Sequence, residues 1–209
     1  MIHAVLFDFN GVLSQDEPVW FEVYEELYAE HGRPITRDEY FSQLAGLSDV
    51  EGVTTWLGSP NPALIDAGIA RYLERASDGS TVPVEAREAV AAAAALGPVG
   101  IVTTARRRVL DPVVEAAGLA AHVAFTVTAE DVRRTKPDPE GYLTALGRLE
   151  GVAATEVLVF EDTPLGVAAA KAAGMRCVAV LGSASTERLA QADEIVDRLD
   201  APTVRRLLA

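Results

Sequence analysis

The run AVLFDF, residues 4–9, is apolar at every position but one, Asp8. A carboxylate inside such a run costs free energy unless something pairs with it. Other apolar, β-branched-rich runs also close on polar groups. VGIVTT (99–104) ends in Thr103 and Thr104, VLVFED (157–162) ends in Glu161 and Asp162, and HVAFTV (122–127) is followed by TKPDP with Lys136. If these runs are neighbouring parallel strands, their ends share one edge, and three carboxylates, two hydroxyls and an ammonium converge there. Three clustered carboxylates do not all stay ionised without compensation. The simplest compensation is a hard divalent cation with oxygen ligands, most simply Mg2+, which keeps waters and a substrate phosphate in its shell. Asp8 then suits nucleophilic attack at phosphorus, with Lys136 and the metal neutralising the equatorial oxygens where charge accumulates.

Each residue also has a plainer reading. Asn10-Gly11 is a dipeptide common in tight hairpins, which would leave Asp8 solvated before a turn. The apolar run beyond it stops at Leu13, too soon for a returning strand. Thr103 alone would be an ordinary strand end. Lys136 would be an ordinary loop lysine, just outside a helix with Asp138 as N-cap and Pro139 at its first position. Glu161 and Asp162 would merely complement the positive end of a helix opening at Thr163-Pro164.

The elements that must position these groups read as βα repeats. Two further runs, RCVAVLG (176–182) and the weaker EIVD (194–197), extend the series of strands. Helical patterns lie between them, and two of these close at Gly118 and Gly174, suitable residues beyond a helix C-cap. The fold class expected is α/β, a Rossmann-like parallel sheet with helices on both faces. Residues 14–81 break the alternation with amphipathic patterns and no strand, as in EPVWFEVYEELYAEHG, where Trp20, Val23, Tyr24, Leu27 and Tyr28 recur at helical spacing. The expected organisation is a core of 1–13 and 82–209 with an all-helical cap insertion at 14–81. Ligands of open parallel sheets bind beyond the carboxyl ends of the strands, so such an insertion would sit over the site.

The totals narrow the function classes. The chain has 209 residues, 49% apolar and 23% charged, with a formal net charge of −13. That charge argues against nucleic acid, whose phosphates need basic patches. It leaves room for a small anionic substrate held through a metal. The RRR run at 106–108 reads as a solvated helix face, and Lys171 as a solvated lysine. No long uncharged apolar run or basic, apolar leader is apparent, so neither a membrane span nor a secretory signal is expected. The lone Cys177 sits in an apolar run and reads as a buried, reduced thiol. Together these point to the cytoplasm, with monomer and homodimer both open. His3, His31 and His122 show no ligand spacing, and the tyrosines and Trp20 of the first cap helix read as core.

In order and spacing, DFNGVL, IVTT, KPDPEGYL and FEDTPLGVAAAKAAGM resemble the four motifs of the haloacid dehalogenase superfamily. The likeness is to members with a helical cap after the first motif, such as phosphoglycolate phosphatases and β-phosphoglucomutases. The resemblance implies that Asp8 becomes a transient aspartyl-phosphate. It implies that position 10 lends its backbone carbonyl to Mg2+ while its side chain acts as general acid/base. Thr103 resembles the hydroxyl that binds the transferring phosphoryl group, with Thr104 beside it, and Lys136 resembles the lysine of the third motif. Glu161 and Asp162 resemble the acids of the fourth, Asp162 being the direct metal ligand.

One departure matters most. Most phosphatases and mutases of the family carry aspartate where this chain has Asn10, and an amide transfers no proton. General acid/base help is typically worth about 10²–10⁴-fold. Trp20, Ala45 and Asp49 stand where mutase-like members bring histidine, lysine and arginine, and residues 14–81 hold no lysine for a Schiff base. The expectation is therefore a Mg2+-dependent phosphatase acting on a small phosphorylated metabolite, slowed by Asn10. The alternatives are an impaired phosphate-binding or regulatory protein of the same fold and, behind it, a phosphomutase.

Overall fold

The computed structural model describes residues 1–209. Strand β1 (Ala4–Phe7) is followed by four helices without a strand between them: α1 (Glu17–Glu30), α2 (Arg37–Gln43), α3 (Asp49–Leu57) and α4 (Pro62–Ala76). The chain then alternates through α5 (Val84–Ala94), β2 (Val99–Val102), α6 (Arg107–Ala116), β3 (Phe125–Val127), α7 (Glu140–Leu146) and β4 (Val157–Glu161). It ends with α8 (Pro164–Ala172), β5 (Arg176–Val180), β6 (Glu194–Val196) and α9 (Ala201–Leu208). All six strands are parallel, in the order β3-β2-β1-β4-β5-β6. The expected α/β class and Rossmann-like sheet are both present.

The strands read as unbroken apolar runs because both faces are buried. In β1, Val5 and Phe7 join the larger core while Ala4 and Leu6 join the smaller. In β4, Leu158 and Phe160 go to the first side and Val157 and Val159 to the second. Helices α5, α6 and α9 close one face, and α7 and α8 close the other. Phe7 stacks on Phe160 across the β1–β4 pair, with ring centroids 5.1 Å apart.

Helix α1 packs on α4 through the aromatic stripe seen in the sequence. Trp20 stacks on Tyr72 at 4.2 Å, and Tyr24 and Tyr28 continue the row. These rings are core, as expected. The segment leaves and rejoins the sheet at a single clasp, where Gln15 N donates to Thr81 O at 2.8 Å and Ser14 Oγ to Thr81 Oγ1 at 2.9 Å. Helix α3 has no strong pattern, since Gly52 and four β-branched residues dilute it. A capping box between Ser48 and Glu51 holds its first turn.

Several boundaries differ from expectation. Strand β3 starts at Phe125, not 122, because a 3-10 turn over Leu119–Ala121 takes up the preceding residues. Helix α7 starts at Glu140, so Pro139 precedes it. Asp138 accepts from Glu140 N at 3.0 Å, one register earlier than the expected cap. The RRR run forms no basic patch, for Arg106 lies 3.8 Å from Asp49, Arg107 2.7 Å from Asp131, and Arg108 pairs with Asp66. Lys171 is likewise paired, with Asp193 at 2.6 Å. No helix is long and apolar enough to cross a membrane.

Candidate active site

The sheet order reverses between β1 and β4, and the crevice beyond the strand ends at such a point is where open α/β sheets bind ligands. Asp8 stands one residue past β1, its N–H donating to Phe160 O at 2.9 Å. Thr103 stands one residue past β2, Glu161 ends β4, and Asp162 follows it. The hairpin reading of Asn10-Gly11 fails. Gly11 turns the chain at φ 78°, and a Cβ there would meet Asp162 Oδ2 at 1.9 Å. Only glycine allows that approach.

Lys136 reaches in from the loop before α7 and joins the strand ends. Its Nζ donates to Asp8 Oδ1 at 2.6 Å, to Glu161 Oε1 at 2.6 Å and to Val102 O at 3.2 Å. Glu161 is satisfied by protein alone. Tyr142 OH donates to Oε1 at 2.7 Å, and Asp162 N donates to Oε2 at 3.1 Å. Asp162 differs, for Ser183 Oγ donates to Oδ2 while Oδ1 is buried with no partner.

One ammonium therefore faces three carboxylates whose oxygens lie within 4.8 Å of one another. Burial pushes Asp8 up to about 7, against the opposing pull of Lys136. Burial and the charges of Asp8 and Glu161 push Asp162 well above the carboxylate range. Burial would depress Lys136, but Asp8 and Glu161 outweigh it and hold its pKa raised. The excess of negative charge and the orphaned Asp162 Oδ1 fit a divalent metal. They also distinguish Asp162, with a free oxygen, from Glu161, with none.

A second group surrounds position 10. Asn10 Nδ2 donates to Asp16 Oδ2 at 2.8 Å, and Tyr72 OH donates to the same oxygen at 2.7 Å. Thr103 Oγ1 donates to Asn10 Oδ1 at 3.3 Å and accepts from Ala105 N at 3.0 Å. Thr104 instead lines the open cavity, a space of about 240 Å³ shared with Asp8, Asn10, Glu17, Lys136 and Asp162. All seven residues singled out in the sequence thus gather at one sheet edge. The sequence reading missed Asp16, Glu17, Tyr142 and Ser183. For Asp16 and Glu17 a signal existed, a second acidic pair eight residues beyond Asp8, but Tyr142 and Ser183 carried none.

A model of the haloacid dehalogenase-like hydrolase family matches residues 2–174. The validoxylamine A 7'-phosphate phosphatase of Streptomyces hygroscopicus subsp. limoneus is 32% identical over 204 residues, 95% of each chain. Hexitol phosphatase A of Escherichia coli K12 is 32% identical, over 96% of this chain and 93% of its own. Among solved structures, CbbY of Rhodobacter sphaeroides in complex with phosphate superposes with a TM-score of 0.84, at 25% identity over 95% of both chains. An aspartate-to-asparagine mutant of that CbbY, in complex with xylulose-1,5-bisphosphate, superposes with a TM-score of 0.83 at 26% identity over 95% of each chain. With four motif segments at one sheet edge, a metal-fitting acidic cluster and relatives of nearly its full length, the chain belongs to the haloacid dehalogenase-like hydrolase family and groups with its phosphoric-monoester hydrolases.

Proposed function

We propose that the chain hydrolyses phosphate monoesters of small sugars or polyols through an aspartyl-phosphate on Asp8, with residues 14–81 acting as a cap over the site. The observation that carries this reading is the pairing of Asp8 Oδ1 with Lys136 Nζ at 2.6 Å, beside Asp162, in the cavity beyond β1. Relatives named for hexitols and for validoxylamine A 7'-phosphate, and the CbbY complex with a sugar bisphosphate, support the substrate class.

Asp8, the Asn10 carbonyl and Asp162 would hold Mg2+, with Asp162 offering its unpaired oxygen and Glu161, saturated by protein donors, adding negative charge beside them. Bound there, the ion supplies positive charge that draws the phosphate in and leaves Asp8 ionised. An Asp8 oxygen attacks phosphorus, the bond from phosphorus to the alcohol oxygen breaks, and the Lys136 ammonium neutralises charge on the phosphoryl oxygens. Thr103 or Thr104 adds a hydroxyl donor to those oxygens. The cap excludes bulk water and selects the alcohol.

The competing reading, a phosphate-binding protein without turnover, draws on Asn10, whose NH2 is engaged by Asp16 and carries no transferable proton. The phosphomutase reading loses ground, since Trp20 is stacked in the interior and Asp49 accepts from Tyr24 at 3.1 Å. The test measures phosphate release from sorbitol 6-phosphate and p-nitrophenyl phosphate, with and without Mg2+, for the wild type and Asp8→Ala. Mg2+-dependent turnover that vanishes in the variant is the expected result. Turnover that survives in Asp8→Ala overturns the reading.

A further inference from the structure

The aspartyl-phosphate route asks for a proton at the departing alcohol and later for removal of one from water. Position 10 supplies neither. Among the side chains lining the cavity, only Asp8, Glu17, Lys136 and Asp162 titrate short of arginine. Asp8 carries the ester, Asp162 belongs to the metal set, and Lys136 is held charged by two carboxylates. Building on the phosphatase reading, we propose that Glu17 is the general acid and base of this enzyme, performing the task that Asn10 has lost.

The placement of Glu17 supports this. It opens α1, directly after Asp16, and faces both the cavity at Asp8 and an adjoining chamber of about 70 Å³. That chamber is walled by Trp20, Tyr24, Tyr28 and Tyr40. The two spaces share Asn10, Glu17, Gly46, Leu47 and Thr104 at their joint, and Glu17 is the one titratable side chain among them. A substrate with its phosphate at Asp8 and its alcohol part in the aromatic chamber has its bridging oxygen at that joint. Glu17 is the carboxyl that stands there.

Its own bonds leave it free to exchange a proton. Gly46 N donates to Oε1 at 3.2 Å and Tyr40 OH to Oε2 at 3.5 Å, both neutral donors and both from the helical segment. No lysine or arginine pairs with it to fix it as a carboxylate, although Lys136 and Arg188 line the same cavity. Burial foremost, then the neighbouring charge of Asp16 and a smaller push from Asp8, lift its pKa to about 7, against the bonds from Gly46 and Tyr40. An acid/base works best with a pKa near the working pH.

The proton count closes over the cycle. In the first half, Asp8 forms its bond to phosphorus, the ester P–O bond breaks, and the Glu17 carboxyl gives its proton to the departing alkoxide. In the second, the Glu17 carboxylate takes a proton from water as the water oxygen attacks phosphorus. The bond from phosphorus to Asp8 breaks, releasing phosphate, and both carboxyl groups return to their starting states.

The experiment compares wild type, Glu17→Gln, Asn10→Asp and the double variant on sorbitol 6-phosphate and p-nitrophenyl phosphate across pH 5 to 9. Glu17→Gln is expected to lower kcat on the alkyl ester about 10²-fold or more, by the usual worth of acid/base help. On the aryl ester, which departs without a proton, the loss of its first half-reaction is much smaller. The variant should also lose the alkaline limb of the kcat profile. In the Asn10→Asp background the same change should cost less than tenfold, because an acid has returned, and activity of the double variant shows that glutamine at position 17 does not unfold the site. A Glu17→Gln effect confined to KM, equal losses in both backgrounds, or turnover by Asn10→Asp alone would each overturn the proposal. Asp8→Ala keeps the two readings apart. Turnover that needs Asp8 but not Glu17 defeats only this inference, whereas turnover that needs neither defeats the phosphatase reading beneath it.

Discussion

Two buried carboxylate groups lie side by side at the end of β1, and they are held in opposite ways. Around Asp8, Glu161 and Asp162 the partner is a charge, the Lys136 ammonium, and the negative charges still outnumber it. Around Asp16 the partners are neutral, the amide of Asn10 and the hydroxyl of Tyr72. The first group is left electrically incomplete, and an incomplete group is what a cation and a phosphate can complete. In the second, dipoles hold Asp16 Oδ2 while Oδ1 is buried without a partner, and the group serves to hold Asn10 and the start of α1. Burial raises the pKa of Asp8, Asp162 and Asp16 alike, so burial alone does not mark the site. The convergence of three carboxylates on one ammonium does.

Removing the cation should break the contrast most severely. Lys136→Met leaves Asp8 and Glu161 buried without a charge partner, and breaking a buried pair in this way costs about 3–5 kcal/mol. Urea unfolding at pH 8 without metal should show that loss, and phosphate release should fall to background. A variant as stable as wild type would mean that the two acids are not held as charges.

The next effect sharpens the comparison through pH. Asp8 titrates near 3.8 when unfolded and near 7 in the fold. Between those values the folded state binds more protons than the unfolded one, so its share of stability falls as pH rises through the window. Asp8→Asn removes this penalty. In metal-free buffer the variant should melt above wild type by a margin that grows from pH 4 to 7 and then levels, and Mg2+ should raise the wild type more than the variant. A margin independent of pH would contradict the raised pKa.

The smallest effect tests the neutral group. Tyr72→Phe removes one of two donors to Asp16 Oδ2 and keeps the ring on Trp20, so it should cost about 1–2 kcal/mol in urea unfolding. Turnover at saturating substrate should change less than threefold. A loss of kcat as large as that from Lys136→Met would place Asp16 in the chemistry and erase the distinction between the groups.

Much of the charged group was legible in the sequence, and little of the neutral one. Asp8, Glu161 and Asp162 each interrupt or end an apolar run, and Lys136 is one of only two lysines. Those are local departures from a local pattern. Asp16 belongs to a polar stretch, SQDE, where another carboxylate draws no notice. Its burial arises when Tyr72, from a helix 56 residues away, closes over it. Tyr142 reads as one apolar position of a short helix, yet its hydroxyl reaches Glu161. Helix α3 escaped notice as well, since its first turn depends on the side-chain bonds of a capping box more than on intrinsic preference.

The sequence by itself determined the class of fold and the identity of the charged groups. Periodicity and strand-end chemistry are properties of neighbouring residues, and a parallel sheet necessarily brings its strand ends to one edge. Only the tertiary structure decided the balance among those groups: that Glu161 is saturated by protein donors while Asp162 keeps a bare oxygen, and that Asn10 is bound to Asp16. It also decided that Glu17 faces the joint of two cavities. Charge balance, desolvation and hydrogen-bond saturation depend on distances between segments far apart in the chain, and those distances are set by packing.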